Sequence, residues 1–222
     1  MASNSYKPEL VVLIHGIGST KWFMWPLARR IERAGYVTRL YTYFTLWGSN
    51  RRNGQVFAAE LRSLAASGRY ARIHVVAHSM GSIVTRCALE EELPVEFGRV
   101  VMIGPPNRGS HMARRLEPIY GRISPTLMEL KDTPDSFVNQ LPGVPEPYEV
   151  GVLAASRDRM IEHSNTHVEG QRDHHTVRGM HTASLWTPAC AEQVVHFLQT
   201  GEFLKDAATG KLPPIQEVEA AR

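Results

Sequence analysis

The chain has 222 residues, of which 43% are hydrophobic and 21% are charged, an ordinary composition for a globular protein. Its formal net charge of +3 and its pI near 9.0 come from arginines scattered along the sequence. Because nucleic-acid-binding proteins usually concentrate basic residues in a stripe or a reading motif, this scatter argues against nucleic-acid binding and allows at most a weak attraction to anionic surfaces. The length fits one α/β core, and we expect residues 1–222 to form a single domain.

Membrane-spanning and disulfide-stabilised classes are not favoured by the sequence. No apolar run approaches the roughly 18 residues of a transmembrane helix, and the polar N-terminus has no secretory h-region. We therefore expect a cytoplasmic protein, for which peripheral contact with lipid stays open. Cys87 and Cys190 lie in predicted helices without metal-ligand or redox spacing, which favours small buried side chains over a disulfide. The tail over residues 205–222 is expected to be loosely ordered.

Strands and helices alternate in the first half of the chain. Strands are predicted over residues 10–14, 38–43, 73–78 and 100–103, and helices over 22–34, 55–66 and 80–91. For the second of these helices the spacing assigns the apolar face to Val56, Ala59, Leu61, Leu64 and Ala65. This alternation predicts a parallel sheet with right-handed crossovers and helices on both faces.

The rhythm breaks over residues 107–147, where prolines separate short helical pieces around 111–116 and 126–130. A connection this long inside a compact domain is often functional, which favours a cap or lid; a plain surface connection is the alternative. Strand character returns over 148–155 and again around 176–177, and a closing helix is predicted over 188–199.

The most informative stretch is residues 73–81, with the sequence IHVVAHSMG. An apolar strand runs into Ser79, which has a small residue two positions before it (Ala77) and two positions after it (Gly81). This pattern is typical of a nucleophile elbow, in which a strained strand-to-helix turn holds a serine Oγ above the sheet edge. The alternative is a serine that caps an ordinary helix.

A second turn complements this serine. The first strand ends at His15-Gly16-Ile17-Gly18, where a hydrolase with an elbow has its second oxyanion donor. We therefore predict an oxyanion hole formed by the backbone N–H groups of Ile17 and Met80.

A serine nucleophile needs a base and an acid that orients the base. His181 lies in a glycine-containing loop between the last predicted strand and the last helix, and Asp158 follows the strand that ends at residue 155. Asp173 precedes its strand and is expected at the opposite sheet edge. The order Ser79, Asp158, His181 is the one expected for this fold, so these three residues are the predicted catalytic triad.

Two other features have competing interpretations. His163 and His167 are spaced i,i+4 and His174 is adjacent to His175, but neither pair has an obvious third ligand, which favours surface histidines over a metal site. No metal or cofactor is expected. The aromatic residues of segment 21–25 could line an acyl pocket or pack in the core, and the sequence favours neither.

Together, residues 12–18 (VLIHGIG) and 77–81 (AHSMG) resemble the small bacterial lipases of the α/β-hydrolase superfamily. Residues 103–110 (IGPPNRGS) and His181-Thr182, followed by a helix that ends with residues 196–198 (HFL), resemble a group of bacterial lipase-like proteins. The similarity extends over residues 10–204. It implies an α/β-hydrolase fold, with a mostly parallel sheet of about six strands flanked by helices and a small helical cap.

The function predicted from these residues is a serine carboxylic ester hydrolase that cleaves small-molecule or lipid esters of short to medium acyl chain through an acyl-serine. A thioesterase or amidase with the same triad, and a non-catalytic binding or scaffold module, are the alternatives. The head group, the acyl length and the oligomeric state stay open at this point.

Overall fold

The computed structural model describes residues 7–205. Six strands form one sheet in the order β2-β1-β3-β4-β5-β6, and every neighbouring pair is parallel. The strands are β1 (Glu9–Ile14), β2 (Val37–Tyr41), β3 (Arg72–His78), β4 (Phe97–Ile103), β5 (Val150–Ala155) and β6 (Asp173–Val177). At the carboxyl end of the internal strand β1, Ile14 pairs with Tyr41 and with Ala77. The predicted parallel sheet of about six strands is confirmed.

Within residues 7–205, seven α-helices connect and cover the strands. They are α1 (Trp25–Arg33), α2 (Asn50–Ala66), α3 (Met80–Leu89), α4 (His111–Tyr120), α5 (Pro125–Met128), α6 (Phe137–Gln140) and α7 (Pro188–Thr200). Short 3₁₀ turns lie at Lys21–Met24, His163–Thr166 and Ala183–Trp186.

The sheet is buried on both faces because successive side chains of each strand point to opposite layers. In β1, Val11 and Leu13 pack in one core layer with α1 and α7, whereas Val12 and Ile14 pack in the other layer with α2 and α3. This arrangement explains why the strands appear in the sequence as continuous apolar runs. It leaves the loops at the carboxyl edge of the sheet free to form a site.

Helix α2 differs from its prediction in start and in face. It begins at Asn50 rather than at residue 55, because the Ser49 side chain caps it by accepting a hydrogen bond from the Arg52 N–H at 3.2 Å. Val56 and Ala59 are exposed, so the predicted apolar face is wrong in part. The buried face is formed by Asn50, Gly54, Phe57, Ala58, Leu61 and Leu64.

The insertion of residues 107–147 contains α4, α5 and α6 and packs on α3. A third apolar cluster joins Met80, Ile83 and Cys87 of α3 to Ala113, Leu130, Val138 and Leu141 of the insertion. Buried Arg86 of α3 donates hydrogen bonds to the carbonyl oxygens of Asn107, Leu141 and Pro142. Both ends of the insertion are therefore fastened to the helix that follows Ser79.

Three further expectations concern single features. Cys87 and Cys190 are buried free cysteines, as predicted. Within residues 7–205, no helix combines the length and apolar character that crossing a membrane requires. The tail predicted over residues 205–222 lies, from residue 206 onward, outside the described residues.

Candidate active site

Ser79 occupies a strained turn between β3 and α3. Its backbone has φ 52° and ψ −125°, and it is the one non-glycine residue with positive φ among residues 7–205. Such a conformation costs about 1–3 kcal/mol and persists only where the surrounding structure enforces it. Here the Ser79 N–H donates to the carbonyl oxygen of Ile103 at 2.9 Å, which fixes the turn to the end of β4.

Close backbone packing explains two glycines near this turn. A Cβ at Gly81 would lie 2.7 Å from the carbonyl oxygen of His15 and 2.9 Å from that of Ile14. A Cβ at Gly16 would lie 2.9 Å from the Cβ of Ser79. The loop after β1 and the turn after β3 therefore touch each other directly, with no room for a methyl group at either glycine.

Ser79, His181 and Asp158 are joined by two short hydrogen bonds. The Ser79 Oγ is 2.9 Å from His181 Nε2, and His181 Nδ1 is 2.6 Å from Asp158 Oδ2. Because an ionised carboxylate only accepts, Nδ1 donates to Asp158, which leaves Nε2 of the neutral ring as the acceptor for the Ser79 hydroxyl. Ser79 and His181 are each 6% exposed. The structure thus brings together the three residues that were predicted from their order in the chain.

The Asp158 carboxylate has further support that the sequence analysis missed. Its Oδ1 accepts hydrogen bonds from the N–H groups of Met160 at 2.8 Å and Ile161 at 3.0 Å. Burial alone would raise the pKa of Asp158, but the hydrogen bond and charge of His181, together with these two N–H donors, hold it below its usual value. The side chain of an aspartate at the start of a tight turn often accepts hydrogen bonds from backbone N–H groups a few residues later. A turn after Asp158 was therefore the sequence signal for this support.

His181 is positioned by three groups. Gly104, with φ +56°, passes so close that a Cβ there would lie 3.1 Å from the imidazole Nδ1. The Ser184 hydroxyl donates to the His181 carbonyl oxygen at 3.1 Å. The His78 ring packs 5.0 Å from the His181 ring, and burial lowers the pKa of His78 to about 3. His78 therefore stays neutral and adds no repulsion when a proton moves to His181.

The predicted oxyanion donors lie beside Ser79. Met80 follows it directly at the start of α3, and Ile17 lines the same cavity as Ser79. Within residues 7–205 the N–H groups of Ile17 and Met80 have no hydrogen-bond acceptor. The Ile17 loop is held by Gly18, whose N–H donates to Thr45 Oγ1 at 3.3 Å, and by the Tyr43 hydroxyl, which donates to the His15 carbonyl oxygen at 2.9 Å.

A cavity of about 250 Å³ opens directly above Ser79. Its walls are almost entirely apolar and come mainly from the insertion: Met112, Ala113, Leu116, Tyr120, Leu127 and Leu130. Ile17, Leu46, Pro106, Met160 and Ile161 complete the apolar wall. Trp22, Phe23 and Trp25 are not among the lining residues and are exposed on the surface, so both interpretations of segment 21–25 are wrong for these three side chains.

Three of the four histidines singled out in the sequence, His163, His167 and His174, form one cluster. The rings of His167 and His174 stack at 3.9 Å, and the ring of His163 lies 5.1 Å from that of His174. Their ring nitrogens bond to protein side chains, for example His174 Nε2 to Thr166 Oγ1 at 2.8 Å. Across residues 7–205, no group of three or more histidine, cysteine or acidic side chains is arranged to hold a metal ion.

The parallel sheet, the elbow at Ser79 and the helices on both faces define an α/β-hydrolase fold. The chain belongs to the family described as a domain of unknown function (DUF7379), whose model matches residues 2–141. That match contains Ile17, Ser79 and Met80 but ends before Asp158 and His181. A search of the curated proteins finds no match.

Solved structures share the fold at low sequence identity. The mature form of the Bacillus licheniformis lipase BlEst2 is 17% identical with a TM-score of 0.69, over 82% of this chain and 88% of that one. Aspergillus fumigatus lipase B is 14% identical with a TM-score of 0.72, over 93% of this chain and 57% of the lipase. The phospholipase PlaB from Legionella pneumophila is 16% identical with a TM-score of 0.54, over 67% of this chain and 39% of the phospholipase. At these identities the similarity shows the fold.

Proposed function

We propose that this chain is a serine carboxylic ester hydrolase of the esterase or lipase type that cleaves esters of short to medium acyl chain. The observation that carries the proposal is the hydrogen-bonded series from Ser79 Oγ through His181 to Asp158, located at the floor of an apolar cavity. A binding module would need neither this series nor a strained serine at its start. The lipase and phospholipase names of the structural neighbours agree with this choice.

In the first half of the reaction, the Ser79 Oγ attacks the ester carbonyl carbon while His181 Nε2 takes the hydroxyl proton. The negative charge that develops on the carbonyl oxygen is stabilised by the N–H of Ile17, in the loop after β1, and by the N–H of Met80, at the N-terminus of α3. His181 then gives its proton to the departing alcohol oxygen, and an acyl-serine remains. Water, deprotonated by the same imidazole, attacks the acyl carbon; the bond to Ser79 Oγ then breaks, the carboxylic acid leaves and His181 returns the proton to Oγ.

Asp158 acts through His181 in both halves. Because its pKa is held low, the carboxylate stays ionised near neutral pH and accepts the Nδ1 hydrogen bond throughout. This bond keeps Nε2 free to accept the serine proton and stabilises the imidazolium that forms. The Met160 and Ile161 N–H groups hold the carboxylate in the orientation that this role requires.

The cavity supports an acyl ester as the substrate. A 150 Å³ apolar cavity holds a benzene molecule, so scaling by volume to the cavity of about 250 Å³ gives room for roughly ten carbon atoms. Four of its lining residues carry a hydroxyl group: Ser79, Ser110, Ser124 and Tyr120. Such a wall favours a single hydrocarbon chain over a charged or peptide-like acyl group.

The test is hydrolysis of a chain-length series of p-nitrophenyl esters, combined with labelling by a fluorophosphonate probe. Ser79→Ala is expected to lose labelling and to reduce kcat by roughly 10⁶-fold, because the triad residues act as a unit. Ser164→Ala, which changes an exposed serine, is the matched control and should keep wild-type activity. Thioester and anilide analogues tested in parallel identify the preferred bond. A folded wild type that neither hydrolyses nor labels would favour the binding module instead.

A further inference from the structure

Exposed apolar side chains are concentrated at the edge of the sheet at which the cavity above Ser79 opens. Of the fifteen large hydrophobic side chains that are exposed within residues 7–205, twelve lie in segments that follow the carboxyl ends of strands. These segments are residues 22–25, 44–47, 119–123, 160 and 180–186, and we call them the apolar rim. An exposed patch of this kind on a water-soluble surface marks an interaction site.

The composition of the apolar rim indicates the chemistry of its partner. All four tryptophans of the chain, Trp22, Trp25, Trp47 and Trp186, lie in it and are between 45% and 64% exposed. Tryptophan combines a large apolar ring with an N–H donor and is enriched where proteins meet the headgroup region of a membrane. Trp186 is fixed in place, since its Nε1–H donates to the Phe23 carbonyl oxygen at 3.1 Å.

Three of the five segments of the apolar rim are continuous with the cavity above Ser79. Leu46, Tyr120 and Met160 are exposed residues of the rim and also line the cavity. The Thr126 hydroxyl of α5 donates to the Thr45 carbonyl oxygen at 2.5 Å, which ties rim segment 44–47 to the insertion that lines the cavity. A surface seated on the rim would therefore lie directly over the entrance to the cavity.

Arginines accompany the apolar side chains. Arg122, Arg157, Arg159 and Arg178 are exposed next to or within rim segments, and none of them forms an ion pair inside residues 7–205. The Arg157 N–H donates to the Gly179 carbonyl oxygen at 2.9 Å, which holds the loops of Arg157 and Arg178 side by side. Exposed guanidinium groups beside tryptophans are complementary to a layer of anionic headgroups above hydrocarbon.

We propose that the apolar rim docks this protein on lipid membranes that contain anionic headgroups, with the cavity mouth facing the membrane. The surface combines interfacial tryptophans, unpaired arginines and an apolar entrance, and a lipid layer satisfies all three at once. The inference rests on the proposed function in one respect: a docked cavity mouth would admit an acyl chain from the membrane without passing it through water. Docking itself requires no hydrolysis.

The first experiment uses the full-length Ser79→Ala protein, which leaves the vesicles intact. It is mixed with extruded vesicles of phosphatidylcholine alone or of phosphatidylcholine with phosphatidylglycerol, and binding is measured by sedimentation. Because every tryptophan lies in the rim, selectively excited tryptophan fluorescence reports on this surface alone. The mixed vesicles should sediment the protein, shift its emission to shorter wavelength and protect it from acrylamide, and phosphatidylcholine alone should bind far less.

Paired variants separate the two contributions. Trp22→Ala and Trp47→Ala should each weaken binding by roughly ten-fold through lost apolar burial, whereas Val95→Ala, at a position 97% exposed outside the rim, should not. Arg157→Gln and Arg178→Gln should each weaken binding to anionic vesicles by about five-fold, and more salt should reduce these differences. Arg33→Gln, at an exposed arginine near the end of α1, is the control.

Three results would overturn the proposal. The first is that the Ser79→Ala protein does not bind anionic vesicles. The second is that Trp22→Ala and Trp47→Ala bind these vesicles as tightly as the protein that keeps both tryptophans. The third is concentration-dependent association of the protein, measured by sedimentation equilibrium, that protects the tryptophans in the absence of lipid, which would assign the rim to a second copy of this chain. Binding of Ser79→Ala without ester hydrolysis by the wild type would leave docking intact and reject the proposed function. Hydrolysis of dispersed esters without vesicle binding would reject docking and leave the proposed function intact.

Discussion

Gly16 and Ser79 are in such close contact that a methyl group at Gly16 would lie 2.9 Å from the Cβ of the serine. Gly16 has no unusual backbone requirement, since its φ is not positive. Glycine is needed at position 16 only because there is no room for a side chain, since the loop that carries Ile17 packs directly on the elbow. The position of one proposed oxyanion donor is therefore coupled to the position of the proposed nucleophile.

Gly16→Ala is expected to reduce ester hydrolysis much more than it reduces stability. The added methyl group must push the loop away from Ser79, which should cost roughly 10²–10³-fold in kcat if the Ile17 N–H is displaced from the oxyanion. The overpacking should lower the free energy of unfolding by about 1–3 kcal/mol. Steady-state kinetics and urea unfolding measure the two effects.

Gly68→Ala provides the matched control. Gly68 has φ +66° and open space around it, so alanine there adds backbone strain of about 1–2 kcal/mol far from the site. It should lose stability and keep kcat. Equal kcat values for the wild type and Gly16→Ala would contradict the role given to the Ile17 loop.

The sequence was informative wherever function depends on local backbone chemistry. A serine between small residues after a buried strand, and a glycine pair after another strand, predict two turns at the same sheet edge, and parallel topology then brings Asp158 and His181 to that edge as well. The outer surface could not be predicted in this way. Whether Trp22 faces a cavity, the core or water depends on which elements pack beside it, and that is a tertiary property absent from local periodicity.

The same limit applies to α2 and to the histidines. Val56 and Leu61 both fit an apolar stripe, but Gly54 and Ala58 let α2 approach α3 closely, and this contact rather than hydrophobicity decides which side is buried. His163 and His167 flank one 3₁₀ turn, whereas His174 lies on β6, and the chain between them folds back so that the rings of His167 and His174 stack. This reversal of the chain leaves no mark in the spacing of the residues.

Asp158→Asn and Asp158→Ala should both lose nearly all activity, but they should differ in stability. Asparagine can keep an oxygen for the Met160 and Ile161 N–H groups while its NH₂ faces His181 Nδ1, which stabilises the wrong tautomer and should reduce kcat by roughly 10⁴-fold. Alanine also leaves both N–H groups without their acceptor, and it should cost about 1–2 kcal/mol more in unfolding free energy. Kinetics and thermal unfolding of both variants test this, and near-wild-type turnover by Asp158→Asn would reject the role of the carboxylate.

Leu116→Trp is expected to shorten the preferred acyl chain. Leu116 is half-buried on α4 and lines the cavity above Ser79, so a larger ring there should occupy part of the roughly 250 Å³ volume. The kcat/KM for octanoyl esters should fall by about ten-fold or more, since several methylene groups lose their burial. Acetyl esters are the internal control and should be hydrolysed as by the wild type. A uniform loss across the chain-length series would mean that the cavity does not hold the acyl chain.

Acidification should destabilise the protein between about pH 6.5 and pH 4 through the partly buried His174. Burial lowers the pKa of His174 from 6.5 to about 4, with the neighbouring His167 and His163 acting in the same direction and Asp173 opposing them. Across this range the unfolded chain binds protons that the folded His174 does not, so the free energy of unfolding falls as the pH falls. His174→Phe keeps an aromatic ring in the stack but cannot be protonated, and urea unfolding at pH 8 and pH 5 should show a smaller loss of stability for it than for the wild type.

Thr166→Val removes the hydrogen bond to His174 Nε2 and keeps the histidine, so it should be less stable at pH 8 and retain the pH dependence. If His174→Phe loses as much stability on acidification as the wild type does, the acid sensitivity arises elsewhere, and buried His78, whose pKa is lowered to about 3, is then the next residue to replace.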